Sequence, residues 1–236
     1  MTRSRSIAPR GLFAALALLS LAALPLAAQS AEARRVADAV EVFTTIVSVP
    51  EKEVTELMVR DAYAVAIIPG ARKLGFVVGV QSGKGVLIVR GQDGAWGSPL
   101  FISLSGGSVG WQVGIQRVDL VLFFRTKKSV DSVLDGAFTM GVDASVAAGS
   151  LGRQAGAGTD ADMQAEIYSY SRSRGLFAGV SLSGSTLAVD EGANAAYYGR
   201  AGLGAREILD RRQAPPSPSG QELKRALDKY SKAPKK

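Results

Sequence analysis

Histidine and cysteine are both missing from this 236-residue chain. Their absence removes Ser-His-Asp and Cys-His nucleophilic sites, zinc sites built on imidazole or thiolate, thiol redox chemistry and disulfide staples. Aromatic residues make up 7% of the chain and include two tryptophans, with no arrangement resembling a sugar-binding platform. Carboxylates, lysines, serines and tyrosines remain for catalysis. A carboxylate pair suffices for glycoside hydrolysis, so a hydrolase stands as the third reading, behind two non-enzymatic ones.

Two phosphate-binding motifs are also missing. In Ser82-Gly83-Lys84-Gly85, Gly83 is separated from Gly79 by three residues and not four, and no Ser or Thr follows Lys84, so it is not a phosphate loop. It reads instead as a tight turn. Gly156-Ala157-Gly158 has no GxGxxG continuation. Asp160, Asp162 and Glu166 lack EF-hand spacing and read as a solvated acidic loop, with ion binding left open. No cofactor and no metal is expected.

The net charge of +7 is unevenly distributed. From Arg206 to Lys236 there are nine Lys/Arg against four Asp/Glu, whereas Ala31 to Ala205 holds sixteen basic and seventeen acidic residues. A neutral globular part argues against nucleic acid as a partner, because phosphate neutralisation needs a concentrated basic face. The basic tail, residues 206–236, carries the linker Gln213–Gly220 and a helix candidate at Gln221–Tyr230. Such a tail reads equally as a solvated segment or as one that touches anionic lipid.

At the other end, Arg3, Arg5 and Arg10 precede an apolar run from Leu12 to Leu24, then Pro25 and the small-residue site Ala28-Gln29-Ser30. Residues 1–30 therefore read as a Sec-type signal peptide, which points to the periplasm. No cysteine follows to carry a lipid. The remaining ~205 residues suffice for one domain with a real core.

Helical periodicity predicts a helix over Ala31–Val47, with Arg34 and Arg35 on its polar side, and another over Glu51–Asp61. Strands are predicted at Tyr63–Ile68, Leu74–Gln81, Gly85–Arg90 and Leu100–Leu104. Turns are placed at Pro69-Gly70, Ser82–Gly85 and Asp93-Gly94, the last being the clearest hairpin signal. In GGSVGWQVGIQRVDLVLFF, Gly106 to Phe124, Val109, Trp111, Val113 and Ile115 alternate with Gly110, Gln112, Gly114 and Gln116, and a doubly buried strand Asp119–Phe124 follows. Glycines on one face predict a close backbone approach, at Gly114 and again at Gly179 in the strand Leu176–Ser183. A short helix Lys127–Leu134, strands Phe138–Val146, Ile167–Ser171 and Thr186–Val189, and a helical turn Asn194–Tyr198 complete the set. Without βαβ alternation, this implies an α+β fold: an antiparallel β-rich core, closed or strongly curved, with an N-terminal helix and short flanking helices.

The basic pairs Arg34-Arg35, Arg72-Lys73 and Lys127-Lys128, with Lys84, form a candidate anionic-headgroup set if they converge on one face.

Four ordered motifs carry a resemblance. Asp93-Gly94-Ala95-Trp96-Gly97-Ser98-Pro99, the Gly106–Phe124 segment, Gly141 to Gly149 (GVDASVAAG) and Tyr168 to Val180 (YSYSRSRGLFAGV), completed by Asn194 and Tyr197-Tyr198-Gly199, resemble the SYLF family of lipid-binding domains. Members occur in yeast and animal adaptors of endocytic actin patches and in exported bacterial proteins. The resemblance spans roughly Ala31 to Gly199. It implies phosphoinositide binding through basic residues and an amphipathic N-terminal helix, and, for yeast members, contact with actin filaments. Arg34 and Arg35 correspond by position and character; Lys73 and Lys84 are carried over likewise. The signal and the basic tail depart from the adaptor pattern, so the expected ligand is a bacterial anionic phospholipid membrane surface. A protein partner, either cell-envelope machinery or an actin-like filament, is the alternative.

Overall fold

Val65 and Ile67 face one way along the first strand while Ala64, Ala66 and Ile68 face the other, and all five are fully buried. The sheet therefore supports a core on each side. The computed structural model describes residues 30–48, 52–75, 78–109, 114–148, 165–173, 176–177, 182–210 and 217–231. Its elements are α1 (Ala31–Val47), α2 (Lys52–Asp61), β1 (Ala64–Gly75), β2 (Val78–Val89), β3 (Leu100–Val109), β4 (Gly114–Phe124), α3 (Lys127–Leu134), β5 (Ala137–Thr139), β6 (Val146–Ala148), β7 (Ile167–Ser173), β8 (Leu176–Phe177), β9 (Ser185–Val189), α4 (Glu191–Tyr198), α5 (Ala205–Leu209) and α6 (Pro218–Ser231).

The strands form one nine-stranded sheet in the order β5-β9-β3-β2-β1-β4-β7-β6, with β8 beside β7. Every pairing is antiparallel except β6 with β7. The sheet is strongly curled into a half-barrel. The curl encloses the core that contains Phe124 of β4 and Phe138 of β5. Four strands separate β4 from β5 in the sheet, yet the two rings lie 6.2 Å apart. Val130 and Val133 of α3 and Ile208 of α5 fill this inner core. The outer core lies between the convex face and the helices α1, α2, α4 and α6.

Helix α1 keeps its expected bounds. The Ser30 hydroxyl accepts from Ala33 N–H at 3.1 Å and caps it. Val36, Ala39, Phe43, Ile46 and Val47 recur at helical spacing and bury one stripe on the sheet. Within the predicted basic tail, α6 sends Leu223, Leu227 and Tyr230 into the outer core, and Tyr230 meets Phe43 edge-on. Its end is tied to the β2–β3 connection: Trp96 Nε1 donates to Ser231 Oγ at 3.0 Å, and Arg90 reaches Ser231 and the carbonyls of Val59 and Arg60. The stretch Pro218–Ser231 is thus docked on the domain and not solvated.

Several predicted turns and strands are corrected. Pro69-Gly70 is a bulge inside β1, with Gly70 at φ +56° and its N–H donating to Asp119 Oδ1 at 2.8 Å. Ser82–Gly85 is mid-strand in β2, paired with β3 throughout, while on the β1 side only Ser82 keeps a partner and Gly83 to Gly85 face the bulge. Its glycines admit the bulge: a Cβ on Gly85 stands 2.2 Å from the Ile67 carbonyl oxygen. The strand predicted for Leu74–Gln81 is divided between the end of β1 and the start of β2. Phe138–Val146 is broken into β5 and β6 at Gly141, φ +81°. The alternating run Val109–Gln116 is the end of β3 and the start of β4, which are not neighbours in the sheet. Residues 110–113, Gly179, the surroundings of Gly114, the predicted signal segment up to residue 29, and Asp160 and Asp162 lie outside the described residues.

Candidate anion-binding site

The β1 bulge decides which cations share a face. Up to Ile68 the even-numbered residues point into the inner core, but beyond the bulge Ala71 does so, leaving Arg72 on the convex side and Lys73 on the concave side. Arg72 thereby joins a groove of about 560 Å³ between the first turns of α1 and the sheet. Ala31, Arg35 and Asp38 form one wall. Pro69, Gly70 and Arg72 of β1, Ser82 to Lys84 of β2, and Ser103 and Leu104 of β3 form the floor.

Asp190 organises the cations at its edge. It caps α4, accepting from Ala193 N–H at 3.1 Å through Oδ1, while Oδ2 accepts from Lys84 Nζ at 3.1 Å. Arg35 Nη1 stands 3.8 Å from the same oxygen, buried and without a hydrogen bond. The Arg35 guanidinium stacks over Phe101, 5.4 Å from the ring centre. Burial works to raise the Asp190 pKa. The Ala193 N–H, the Lys84 hydrogen bond and charge, and the Arg35 charge outweigh it and hold the carboxyl below its ordinary range. The groove therefore gathers three cations against Asp38 and Asp190. Lys84 remains 63% exposed, and an exposed ion pair of this kind is worth only about 0–1 kcal/mol. Its ammonium is free to turn toward an incoming anion.

The other predicted residues are not brought together with these. Arg34 is exposed on α1 and does not line the groove. Lys73 stands opposite Gln81 and Gln116, across the sheet from the groove. Lys127 and Lys128 lie on α3, which packs against the inner core, and both are exposed. There Lys127 pairs with Asp131, whose hydrogen bond raises the lysine and lowers the aspartate from their ordinary pKa values. Arg206 bridges Asp135 at 2.6 Å and Asp131 at 3.5 Å. Glu166 accepts from Ser129 Oγ at 3.0 Å, a structural contact. Asp38 is the single carboxylate among the residues lining the groove.

Sequence reasoning misses two residues here. Asp190 looks like a helix cap and nothing more, because its link to Lys84 spans 106 positions. Arg117 stands on β4 directly opposite Arg72; only the strand register reveals it.

Residues 105–230 match the protein family described as Ysc84, Las17-binding protein actin regulator. The chain is 39% identical over 159 residues to LAS seventeen-binding protein 3 of Saccharomyces cerevisiae, covering 66% of this chain and 34% of that protein. It is 33% identical over 203 residues to SH3 domain-containing YSC84-like protein 1 of Xenopus laevis, covering 85% and 60% respectively. The corresponding human protein is 34% identical over 170 residues, covering 71% and 49%. The chain thus spans about a third to three fifths of the length of these relatives. Arg35, Arg72 and Lys84 lie before the family-matched segment, and Arg117 lies within it.

Proposed function

The chain belongs to the Ysc84, or SYLF, family, and from that premise we propose that it is a non-enzymatic module that docks reversibly on anionic membrane surfaces. One observation carries the reading: Arg35, Arg72 and Lys84, from three separate elements, meet at a single open groove beside the α1 N-terminus. The guanidinium of Arg72 offers a bidentate fork and Lys84 a mobile point charge, the two donor types suited to a phosphate headgroup. Arg35, packed on Phe101, positions α1 over the groove. With the Sec-type signal, the proposed setting is the periplasm and the proposed surface a bacterial phospholipid bilayer.

Vesicle co-sedimentation tests this reading. Binding to anionic vesicles at low salt, lost at high salt and reduced in Lys84→Gln and Arg72→Gln, supports it. Equal recovery on neutral and anionic vesicles at every salt concentration contradicts it. Release of a shortened mature chain into the periplasmic fraction tests the setting.

The description of the matched family as Las17-binding and actin-regulating favours a second reading, a protein-interaction module. Co-sedimentation with actin filaments in the absence of lipid discriminates the two.

A further inference from the structure

Strand register leaves one row of the convex face electrically unbalanced. Where β4 meets β7, Asp119 stands opposite Arg172, an opposite-charge pair of the kind that stabilises a sheet. One row outward, Arg117 stands opposite Arg72, Arg72 opposite Ser82, and Ser82 opposite Ser105. That row holds two arginines, two serines and no carboxylate. Directly opposed residues place their Cβ atoms about 4.5–5.5 Å apart, and like charges at that spacing destabilise the pair.

Nothing among the described residues offsets the repulsion. Arg72 and Arg117 are both exposed, and neither guanidinium makes an ion pair or hydrogen bond there. Asp119 is engaged with Gly70 N–H and Asp190 with Lys84 and Ala193, while Asp38, across the groove on α1, makes no ion pair with Arg72. Arg72 is also part of the groove floor, so the pair opens onto the groove's edge.

We infer that Arg72 and Arg117 form a two-arginine clamp for a phosphomonoester headgroup. This rests on the anionic-surface reading and deepens it, naming the headgroup class and adding Arg117. A phosphomonoester carries about −1.5 to −2 charges and three terminal oxygens, enough for two planar forks to bind at once. A phosphodiester carries one charge and two free oxygens and satisfies one fork. Ser82 and Ser105, exposed on the same row, add hydroxyl donors.

The test titrates the full chain and its Arg117→Gln variant with phosphatidylcholine vesicles. These carry either phosphatidic acid, a monoester, or phosphatidylglycerol, a diester, at matched surface potential. The wild type favours phosphatidic acid by about tenfold, the effect of one charged bidentate contact. Arg117→Gln binds both alike, at the wild-type level for phosphatidylglycerol. Arg117→Lys, which keeps the charge and loses the fork, retains only a minor part of the preference. Arg117→Gln melts no lower than the wild type, because it removes a repulsion. A wild type without preference, or an Arg117→Gln variant that keeps it, overturns the clamp while general anionic docking stands. Failure to bind either vesicle overturns both. Millimolar inorganic phosphate leaves the preference in place; if it abolishes the preference, the clamp serves free phosphate and the lipid assignment falls.

Discussion

The two faces of the sheet treat their surface cations differently. On the α3 side, Lys127 and Arg206 are laced to Asp131 and Asp135, a self-contained network. On the α1 side, Arg72 and Arg117 make no ion pair among the described residues, and Lys84, itself 63% exposed, holds the single partner Asp190. In sequence, Lys127-Lys128 and Arg72-Lys73 are alike, two adjacent cations near the end of an element. The difference lies in what the fold sets opposite them. A cation already paired has little to offer a ligand; one placed against another cation has much.

The comparison can be broken at several depths. The deepest is Gly85→Val. A side chain there meets the Ile67 carbonyl oxygen and Ile68 backbone within 3 Å, and the backbone cannot swing aside. A loss of about 3 kcal/mol is expected, read as a lowered denaturation midpoint, together with loss of vesicle binding because the bulge that turns Arg72 toward the groove is displaced. A variant as stable as the wild type contradicts the role given to the bulge.

Asp190→Ala comes next. It removes the α4 cap and the acid between Arg35 and Lys84, costing about 1–2 kcal/mol. It also releases cations at the groove, so anionic-vesicle affinity rises as stability falls. Weaker binding would show that Asp190 shapes the site instead of restraining it. The pH dependence follows from the direction of its shift. The Asp190 carboxyl is depressed in the folded state, so its contribution is fully present above the ordinary carboxylate pKa and lost as pH falls through the lower folded value. Asp190→Asn, which keeps a capping oxygen, flattens that acid limb in pH-resolved melts.

Smaller effects sharpen the contrast. Arg72→Gln weakens anionic-vesicle binding by about fivefold to tenfold, about 1–1.4 kcal/mol, with little change in melting. Lys127→Gln with Lys128→Gln leaves binding unchanged and costs at most about 0.5 kcal/mol, measured in the same two assays. A large binding loss in the α3 double variant would reverse the assignment of faces.

Local signals were legible in sequence where the structure is local. The bounds of α1 and α3 follow from capping residues and apolar spacing, and the Asp93-Gly94 turn follows from its composition, with Gly94 at φ +78°. Ser82-Gly83-Lys84-Gly85 misleads because a turn composition serves another purpose: its glycines make room for the neighbouring bulge in mid-sheet. Strand alternation sends the adjacent pair Arg72 and Lys73 to opposite sides of the sheet, and the bulge decides that Arg72 is the one facing the groove. Arg35, Arg72 and Lys84 are visible in the sequence as candidate cations, but their meeting at one groove depends on register. Arg117 leaves no local trace, since a residue 45 positions away gives it meaning. The outer core's use of Leu223, Leu227 and Tyr230 is hidden in a segment whose charge makes it look like a tail.

The absence of native cysteine makes the central claim directly measurable. Ser82→Cys on the groove floor and Lys128→Cys on α3 each carry one environment-sensitive fluorophore, and anionic vesicles are added. The account predicts a blue shift from the label at position 82 and none from the label at 128. A shift at 128 with silence at 82 would contradict it.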